Sequence, residues 1–498
     1  MHMRLIRIRR TVPTICIAAL VATLFACSGG DSSNGNTSTG KFTDASGVAG
    51  IQYQTASQSG LTGAGGEFNY KTGESVTFSV ADVIIGQAPA AATVTTFDLV
   101  GIAPPLSALG IPNNTPSSLL FQQAANISVF LQTVDEDGDV TNGIQIPAKL
   151  RAIAAGKTIN FKQNYGLFQK DFNFRQLMGD ARTEGVWGGA RAIKLTYRAV
   201  NDLYKGQKLM AVIYNKSTMQ METTSVDTNY TYEYNVSGAL TKSISSVTGG
   251  SEFGYDTNIY DQSGRLIKTE FYNGAGTLIK YSTRTYDVNG YLIDRSSYGN
   301  NGVLEKRSAY TYDSYGNNTI YEERNTSANT VSRKLVSTYD NKGNAIKQRQ
   351  YDSGVLSAYF DMTYDANNRM SQSMTYDAAG KLSNKRVNSY DANGNLIKYI
   401  VYSGTGDVVK TVTHTFDANN NQLTSKTFDP SGTLTASLTN TYDANGYKTS
   451  VSSSGNKQWS KTYVYDAKGN LVNVERSPER TTKIYGYTQT SAWGSILD

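Results

Sequence analysis

A Tyr-Asp motif that recurs at a nearly constant spacing constrains the fold of this chain more than any other feature. Its aromatic residue returns at intervals of 23 to 27 residues, most often 26. A glycine usually follows four residues later, and Asn368 and Asn420 replace it in two copies. Because glycine and asparagine enter the left-handed region most readily, this position is predicted to have a positive φ. The aromatic residues are Tyr234, Tyr260, Tyr286, Tyr312, Tyr339, Tyr364, Tyr390, Phe416, Tyr442 and Tyr465.

Each repeat consists of two similar halves, and each half predicts one turn followed by one strand. A second aromatic residue stands twelve residues after most of the first set, with its own glycine. The Asp-x-x-Gly pattern is typical of a type I turn that leaves through a left-handed residue. About eight alternating residues follow, which is a usual strand length. The sequence therefore predicts an antiparallel meander of nearly twenty strands, in which the 25-residue repeat loses its residue in the turn at Gly354.

The repeated residues are predicted to be structural, since ten copies cannot all form one active site. The aspartates are interpreted as turn caps, and the glycines as left-handed exits. The residues with this expected structural role include Tyr260, Asp261, Gly264, Tyr286, Asp287, Gly290, Tyr390, Asp391, Gly394, Tyr442, Asp443 and Gly446.

The leucines and aromatic residues of the strands are expected to form rows across the sheet. Side chains alternate between faces along a strand, so sequence parity places Leu396 with Tyr402 and Leu278 with Tyr286. Buried rows of this kind would hold neighbouring repeats together. The alternative is an exposed ladder of tyrosines that stacks on sugars, and we favour the structural rows.

The segments YDQSGRL, YDVNGYL, YDAAGKL, YDANGNL and YDAKGNL resemble the YD-repeat, or Rhs, family of bacterial surface and toxin-associated proteins. The resemblance covers about residues 226–475. Large members of that family wind their repeats into a closed shell around a C-terminal toxin. This chain has far fewer repeats and about 32 residues after the last Tyr-Asp pair. The expectation is therefore an open, repetitive antiparallel β-hairpin array without a toxin domain, followed by a C-terminal tail at 476–498.

The N-terminal residues have the pattern of a secretory signal. Four arginines precede a short apolar run, and residues 24–27 read Leu-Phe-Ala-Cys. This ending resembles the bacterial lipoprotein signal, which implies a signal peptide at 1–26 and a lipid on Cys27 that attaches the chain to a membrane. In the lipoproteins that this signal resembles, a serine directly after the cysteine, as at Ser28, implies an outer-membrane destination. The chain would lie at the cell surface or on the periplasmic face. A Gly/Ser/Asn-rich tether is predicted over 27–45.

Composition argues against several classes of function. Removing the signal arginines lowers the net charge from +6 to +2, so no basic footprint for nucleic acid remains. The two cysteines lie in the signal and at the lipidation site, and His414 is the one histidine beyond residue 2. His414 stands in an alternating strand, where a structural side chain is expected. We therefore expect no enzyme activity, and carboxylate-only chemistry is the least favoured reading.

Residues 46–150 resemble a β module found at the front of many bacterial envelope lipoproteins. The matching segments are the SG-x-TG-x-x-G-x-F-x-Y hairpin, G-E-x-V-T-F-S and FLQTVDEDGD. A helix is predicted after Pro112, with Thr115 as its N-cap and Pro116 at its first position. The expected fold class is mainly β: this small domain with its helical appendage, an α+β connector at 151–225, and then the repeat array.

The acidic run at the end of this helix is the one site-like cluster. Asp135, Asp137 and Asp139 surround Gly138, and carboxylates at this spacing can converge on a hard cation. The run departs from an EF-hand, because Val140 and Ile146 occupy positions that require Gly and Glu. A solvated acidic turn is therefore the favoured interpretation, and calcium is the alternative and the one cofactor considered for this chain.

Together these features favour a lipid-anchored envelope protein that presents a YD-repeat scaffold for binding or adhesion. The expected ligand is a glycan or a surface protein. Two alternatives remain: a periplasm-facing structural lipoprotein, and an accessory or remnant of an Rhs-type toxin system without its toxin domain.

Overall fold

The computed structural model describes residues 37–104, 119–209, 211–221, 227–247, 250, 252–325, 330–418, 420–444, 446–455, 458–467, 471–478 and 481–490. An N-terminal α/β part precedes a large β-barrel. The predicted signal peptide, Cys27, residues 27–36 of the tether and the helix cap at Thr115 lie outside the described residues. Among the described residues, no helix is both long enough and apolar enough to cross a membrane.

The described residues of the N-terminal part form nine short strands in three sheets. One sheet has the order β5-β1-β8, a second β4-β3-β6-β7, and β2 pairs with β9. The strands are β1 (Ser38–Thr43), β2 (Val48–Ala49), β3 (Gln52–Gln54), β4 (Ser59–Leu61), β5 (Glu67–Tyr70), β6 (Ser75–Val80), β7 (Val83–Pro89), β8 (Thr93–Thr95) and β9 (Ile144–Gln145).

Five helices of the described part share a hydrophobic core with these sheets, together with a 3₁₀ turn at Asp98–Val100. Asp171 caps α4 by accepting a hydrogen bond from the Phe174 amide at 2.9 Å. The helices are α1 (Leu119–Val134), α2 (Ala148–Ala154), α3 (Tyr165–Phe168), α4 (Phe172–Thr183) and α5 (Thr196–Gly206).

A single hydrophobic core runs through both the β module and the helices that follow it. It contains Phe42 of β1, Phe130 of α1, Phe174 of α4 and Tyr204 of α5. The helices of the predicted connector therefore share one core with residues 46–150. The predicted tether also ends too late, because β1 begins at Ser38. Apolar side chains such as Phe42 draw these residues into the core despite the polar composition around them.

The repeats form a closed barrel of 22 antiparallel strands, each paired with its neighbours in chain order. The strands are β10 (Ala211–Met221), β11 (Thr228–Tyr234), β12 (Leu240–Val247), β13 (Glu252–Tyr260), β14 (Leu266–Asn273), β15 (Leu278–Tyr286), β16 (Leu292–Gly299), β17 (Leu304–Tyr312), β18 (Asn318–Asn325), β19 (Thr330–Tyr339), β20 (Ala345–Asp352), β21 (Val355–Tyr364), β22 (Met370–Asp377), β23 (Leu382–Tyr390), β24 (Leu396–Ser403), β25 (Val408–Phe416), β26 (Gln422–Phe428), β27 (Leu434–Tyr442), β28 (Lys448–Gly455), β29 (Trp459–Tyr465), β30 (Leu471–Ser477) and β31 (Thr481–Thr490).

The prediction of an open array is wrong, because β10 and β31 pair with each other. Their register runs from Ala211↔Thr490 to Met221↔Thr481, with a bulge between Tyr214 and Lys216. Closure pairs backbone groups that two free edge strands would leave exposed. Both closing strands lie outside the predicted repeat region of 226–475, one in the predicted connector and one in the predicted tail. The barrel therefore recruits non-repetitive sequence at each end of the repeats.

The turns have the predicted geometry. Asn368 and Asn420 have φ values of 60° and 63°, which confirms a left-handed position. In the first turn of the unit at Tyr286, the Gly290 amide donates to the Asp287 carbonyl at 3.0 Å. The Asp287 amide donates to the Tyr291 carbonyl at 2.9 Å. This is a type I turn followed by a glycine bulge, a common three-residue hairpin connection.

The repeat that is one residue short does lose it in a turn. β20 and β21 pair up to Asp352↔Val355, which leaves Ser353 and Gly354 as a two-residue connection. Both have positive φ, 50° and 85°. Two consecutive left-handed residues are typical of a type I′ hairpin. The deletion therefore changes the turn type and leaves the strands intact.

A register shift next to the turns corrects the predicted rows. Tyr390 pairs with Leu396, but the preceding Ser389 pairs with Lys398, so one residue of β24 is passed over. A one-residue shift moves every later side chain to the other face. Leu396 therefore shares a face with Tyr390, whereas Tyr402 lies on the opposite face. The prediction that Leu396 and Tyr402 share a face is wrong.

The same shift separates Leu278 from Tyr286. Leu278 pairs with Tyr272, whereas Lys280 pairs with Phe271. Lys280 and Tyr286 share a face along β15, so Leu278 lies opposite both of them. We call the face that carries the Tyr-Asp tyrosines the YD face, and the other the opposite face.

Candidate functional site

The aspartates of the Tyr-Asp motif hold their own turns together. Asp287 Oδ1 accepts hydrogen bonds from the backbone amides of Asn289 and Tyr291 at 2.9 and 2.8 Å. Asp391 and Asp443 accept the equivalent amide at 2.8 and 2.9 Å. Short polar side chains commonly stabilise turns in this way. These carboxylates are used within the turn.

Two repeats add an arginine clamp to the turn. Arg265 Nε donates to Asp261 Oδ2 at 2.7 Å, and its guanidinium lies 5.0 Å from the centre of the Tyr286 ring in the next repeat. Arg369 repeats the arrangement with Asp365, over Tyr390 at 4.8 Å. The arginine thus links consecutive repeats by an ion pair and a cation–π contact.

The tyrosines of the Tyr-Asp motif also join consecutive repeats through their hydroxyl groups. Tyr286 Oη donates to the Leu266 carbonyl at 3.0 Å, and Leu266 stands two residues after the preceding repeat's glycine. The distances for all such bonds run from 2.7 to 3.1 Å. The donors and acceptors are Tyr260→Leu240, Tyr286→Leu266, Tyr312→Leu292, Tyr339→Asn318, Tyr364→Ala345, Tyr390→Met370, Tyr442→Gln422 and Tyr465→Lys448.

A second set of tyrosines stacks in pairs on the opposite face of the barrel. The rings of Tyr281 and Tyr298 are 4.7 Å apart with an angle of 13° between them. The pairs Tyr255–Tyr272 and Tyr359–Tyr376 have the same 4.7 Å separation. All six side chains are half-buried rather than buried. Lysines lie against some of these rings, with Lys242 at 4.5 Å from Tyr255 and Lys268 at 4.8 Å from Tyr281.

The acidic run of the N-terminal part is folded on itself. Asp135 accepts the amides of Gly138 and Gln145, at 3.0 and 2.7 Å. Burial raises the pKa of Asp135. Arg191 lies directly over this loop, and its Nη2 donates to the Glu136 carbonyl at 3.0 Å.

The two outer carboxylates of this run are also bonded within the loop. Asp137 accepts from the Asn142 side chain at 2.7 Å, and Asp139 from the Thr141 hydroxyl at 2.6 Å. These bonds lower the pKa of both aspartates. Within the described ranges, no three His, Cys, Asp or Glu side chains lie close enough to hold a metal ion. The geometry of the loop favours a self-bonded acidic turn, and the calcium site stays a prediction.

The helical half of the N-terminal part docks on the turns of the Tyr-Asp motifs, which all lie at one rim of the barrel. Tyr197 Oη donates to the Gly264 carbonyl at 3.0 Å, and Asn201 Nδ2 to the Ser237 carbonyl at 2.8 Å. Arg175 reaches the Gly316 carbonyl at 2.5 Å. The contacts involve the turns of successive hairpins, so the repeat spacing sets the docking surface.

A cleft of about 750 Å³ lies between this helical half and two neighbouring turns. Among the described residues, its walls carry five cationic side chains and no carboxylate. Three half-buried tyrosines and the buried Tyr197 line it as well, with the amides of Gln132, Gln169, Gln262 and Asn289. The cations are Arg191, Lys194, Arg198, Arg265 and Arg284, and the tyrosines are Tyr260, Tyr286 and Tyr291, beside the buried Tyr197.

Among the cations of this cleft, the positive charge of Arg284 has the weakest stabilising contact. Its Nη1 lies 3.4 Å from Thr269 Oγ1, a long hydrogen bond to a neutral group. Desolvation lowers the pKa of Arg284, and the neighbouring charge of Arg295 lowers it further. By contrast, Lys194 and Arg265 form ion pairs of 2.7 Å with Asp202 and Asp261.

No sequence pattern identifies this cleft, because its cations come from segments far apart in the chain. Arg191, Lys194 and Arg198 stand in the segment for which no role was predicted, and Arg265 and Arg284 stand in two different repeats. His414 lies elsewhere, on the YD face of β25, with its ring 6.1 Å from that of Tyr399. Desolvation, and then the charge of Arg386, lower the pKa of His414.

No family model and no curated protein sequence matches this chain. Similar solved structures include "Crystal Structure of TcdB2-TccC3-TEV", at 14% identity and a TM-score of 0.25, over 53% of this chain and 18% of that one. The Tc holotoxin pore of Photorhabdus luminescens matches at 12% identity and a TM-score of 0.21, over 55% of this chain and 18% of that one. A porin-like protein from Bacteroides uniformis ATCC 8492 matches at 15% identity and a TM-score of 0.23, over 55% of this chain and 98% of that one. This chain thus spans less than a fifth of the first two of these chains, and similarity this low establishes neither a family nor a function.

Proposed function

We propose that this chain is a lipid-anchored bacterial envelope protein whose barrel binds a glycan and which performs no catalysis. Cys27 would carry the lipid and hold the chain at the outer membrane. The observation that carries the binding proposal is the set of stacked, half-buried tyrosine pairs on the opposite face of the barrel. Aromatic rings with polar edges are the side chains that most often present an apolar surface and a hydrogen-bonding group together.

The two sets of tyrosines support different roles. The hydroxyls of the Tyr-Asp tyrosines are used by carbonyls of the preceding repeat, as in Tyr286. Those of the stacked pairs lie on the other face, where Tyr281 and Tyr298 are half-exposed. The structural reading therefore fits the first set, and the sugar-binding reading fits the second. Lys268, beside Tyr281, adds a donor for sugar hydroxyls.

A glycan array with the full-length lipidated protein in detergent tests the binding proposal. We expect the wild-type protein to bind one or more glycans of the array. The double variant Tyr281→Ala/Tyr298→Ala should bind the same glycans about tenfold more weakly, since aromatic anchors dominate such contacts. Ile279→Ala is the matched control, because Ile279 is 51% exposed on the same strand. The proposal fails if no glycan or whole-cell polymer is retained, or if the double variant binds like the wild type.

Fractionation and protease treatment of intact cells test the location. Cys27→Ser is expected to release the protein from the membrane fraction. Cleavage of the barrel by added protease would support surface display, whereas an intact barrel would support the alternative of a periplasm-facing structural lipoprotein. A protein that stays in the membrane fraction without Cys27 would contradict the lipid anchor.

A further inference from the structure

The cleft between the helices and the rim of the barrel has the chemistry of an anion site. The lining residues that the structure describes include five cations and no carboxylate, although the whole chain carries almost as many acidic as basic residues, 41 against 47. A surface of mixed charges would place some acidic groups there by chance. The cleft volume of about 750 Å³ lies within the range of roughly 300–1,000 Å³ of small-molecule sites.

The cations of the cleft differ in their partners within the protein: some lie next to carboxylates, and others donate only to neutral oxygens. Lys194 and Arg265 have carboxylate partners, and Arg191 lies near Asp135 and Asp137. Arg198 and Arg284 instead donate to neutral oxygens, at 3.2 Å to the Gln262 carbonyl and at 3.4 Å to Thr269. A partly desolvated guanidinium is stabilised most by a charged acceptor that can take two of its hydrogen bonds.

The remaining lining fits a sugar. The ring of Tyr291 is half-buried and is held by stacking on Tyr312 at 5.1 Å, whereas Tyr260 and Tyr286 hold consecutive repeats together. Side-chain amides such as those of Gln262 and Asn289 can both donate to and accept from hydroxyl groups. Rings, amides and guanidinium groups around one cleft suit a ligand that combines hydroxyls with negative charge.

We propose that this cleft binds an acidic sugar, with Arg284 and Arg198 contacting its carboxylate or phosphate group. This site is separate from the tyrosine pairs of the opposite face and goes beyond the binding proposed for them. It also requires the docked helices, because Arg198 belongs to α5 and Arg284 to β15. The two guanidinium groups approach the cleft from its two walls.

Isothermal titration of the full-length protein tests the proposal with three probes: an oligogalacturonate, a hexose phosphate and a neutral oligosaccharide of the same length as the first. We expect heat from at least one of the two anionic probes and none from the neutral one. The anionic probe that binds identifies the group as a carboxylate or a phosphate. Binding of neither anion, or equal binding of the neutral probe, overturns the proposal.

Variants then locate the binding. Arg284→Gln and Arg198→Gln are each expected to weaken the affinity for the anionic probe by about tenfold or more, since each removes a charge-assisted contact. Arg349→Gln is the matched control, an exposed arginine of β20 outside the cleft. Arg284→Lys, which keeps the charge, is expected to restore part of the affinity. If both cleft variants bind like Arg349→Gln while they melt like the wild type, the cleft is not the site. Should Arg284→Gln fail to fold, Arg198→Gln alone decides.

Discussion

The hydroxyl of Tyr286 donates a hydrogen bond of 3.0 Å to the backbone carbonyl of Leu266, twenty residues earlier. The bond connects one repeat to the preceding one, and seven other tyrosines of the motif make its equivalent. Phe416 occupies the same position in its repeat and has no hydroxyl to donate. The chain therefore contains a natural comparison for the contribution of this bond.

Tyr286→Phe is expected to destabilise its region of the barrel by about 1 kcal/mol, the usual net contribution of one hydrogen bond. The ring would keep its contact with Arg265, so the change isolates the hydroxyl. Local opening free energies from hydrogen exchange of β14 and β15 amides are the suitable measurement. Phe416→Tyr is the matched reverse change and should stabilise its own repeat. Unchanged exchange in both variants would contradict this role.

Asn368→Ala is expected to destabilise the protein by about 1–2 kcal/mol, because a β-carbon in the left-handed region is strained. Asn368 has a φ of 60°. Asn368→Gly should be close to neutral, since glycine occupies this position in most repeats. Thermal unfolding of the two variants side by side checks the prediction. Equal stability of the alanine and glycine variants would show that the turn does not need a left-handed residue.

The buried carboxyl group of Asp44 is expected to make the stability of the N-terminal part depend on pH. It is fully buried and accepts hydrogen bonds from Thr96, Ser128 and Gln132 at 2.6 to 2.9 Å. Burial raises its pKa above the ordinary 3.8 despite these bonds. Between 3.8 and the raised value, the folded protein holds a proton that the unfolded chain releases, so the stability from this group falls as pH rises.

Asp44→Asn removes this titration and keeps a side chain of the same size. The free energy of unfolding of the variant, relative to wild type, is therefore expected to improve as pH rises through that window. Chemical denaturation at a series of pH values measures the difference between the two proteins. A difference that stays constant with pH would contradict the raised pKa.

Arg175 is expected to hold α4 against the barrel rim. Its guanidinium donates to the Gly316 carbonyl and to Asn317 Oδ1, at 2.5 and 3.0 Å. Arg175→Ala should leave these two acceptors without their partner and expose the rim. Limited proteolysis between the two parts is expected to become roughly tenfold faster, which corresponds to a loss of about 1.4 kcal/mol. Lys170→Ala is the control on the same segment, and equal cleavage of both variants would contradict the docking role.

The local structure of the repeats followed from the sequence, because each decisive residue acts on its nearest neighbours. Glycine or Asn368 at the fourth turn position requires a positive φ, and Asp287 is close enough to cap its own turn. Hairpins joined by such turns could form an antiparallel sheet in only one order. The helix at Leu119–Val134 lies in the segment after Pro112 where a helix is predicted.

The features that sequence reasoning missed depend on relationships between distant segments or on single-residue irregularities. The bulge after the turn at Tyr390 puts Leu396 and Tyr402 on opposite faces, and parity alone cannot detect it. Closure depends on β10, which carries no Tyr-Asp motif. The cleft depends on α5 docking on turns more than sixty residues away, as in the bond from Tyr197 to Gly264.

Disulfide trapping across the seam between β10 and β31 tests most directly the central claim that the repeats close into a barrel. Thr218 pairs with Ile484, and Met219 with Lys483. In a Cys16→Ser/Cys27→Ser background, at least one of the double cysteine variants at these two pairs should form an intramolecular disulfide, because cross-strand partners lie within bonding range. The pair Thr218→Cys/Val408→Cys, on non-neighbouring strands, should stay reduced. Free thiols in both seam variants, or disulfides only between molecules, would contradict a closed barrel.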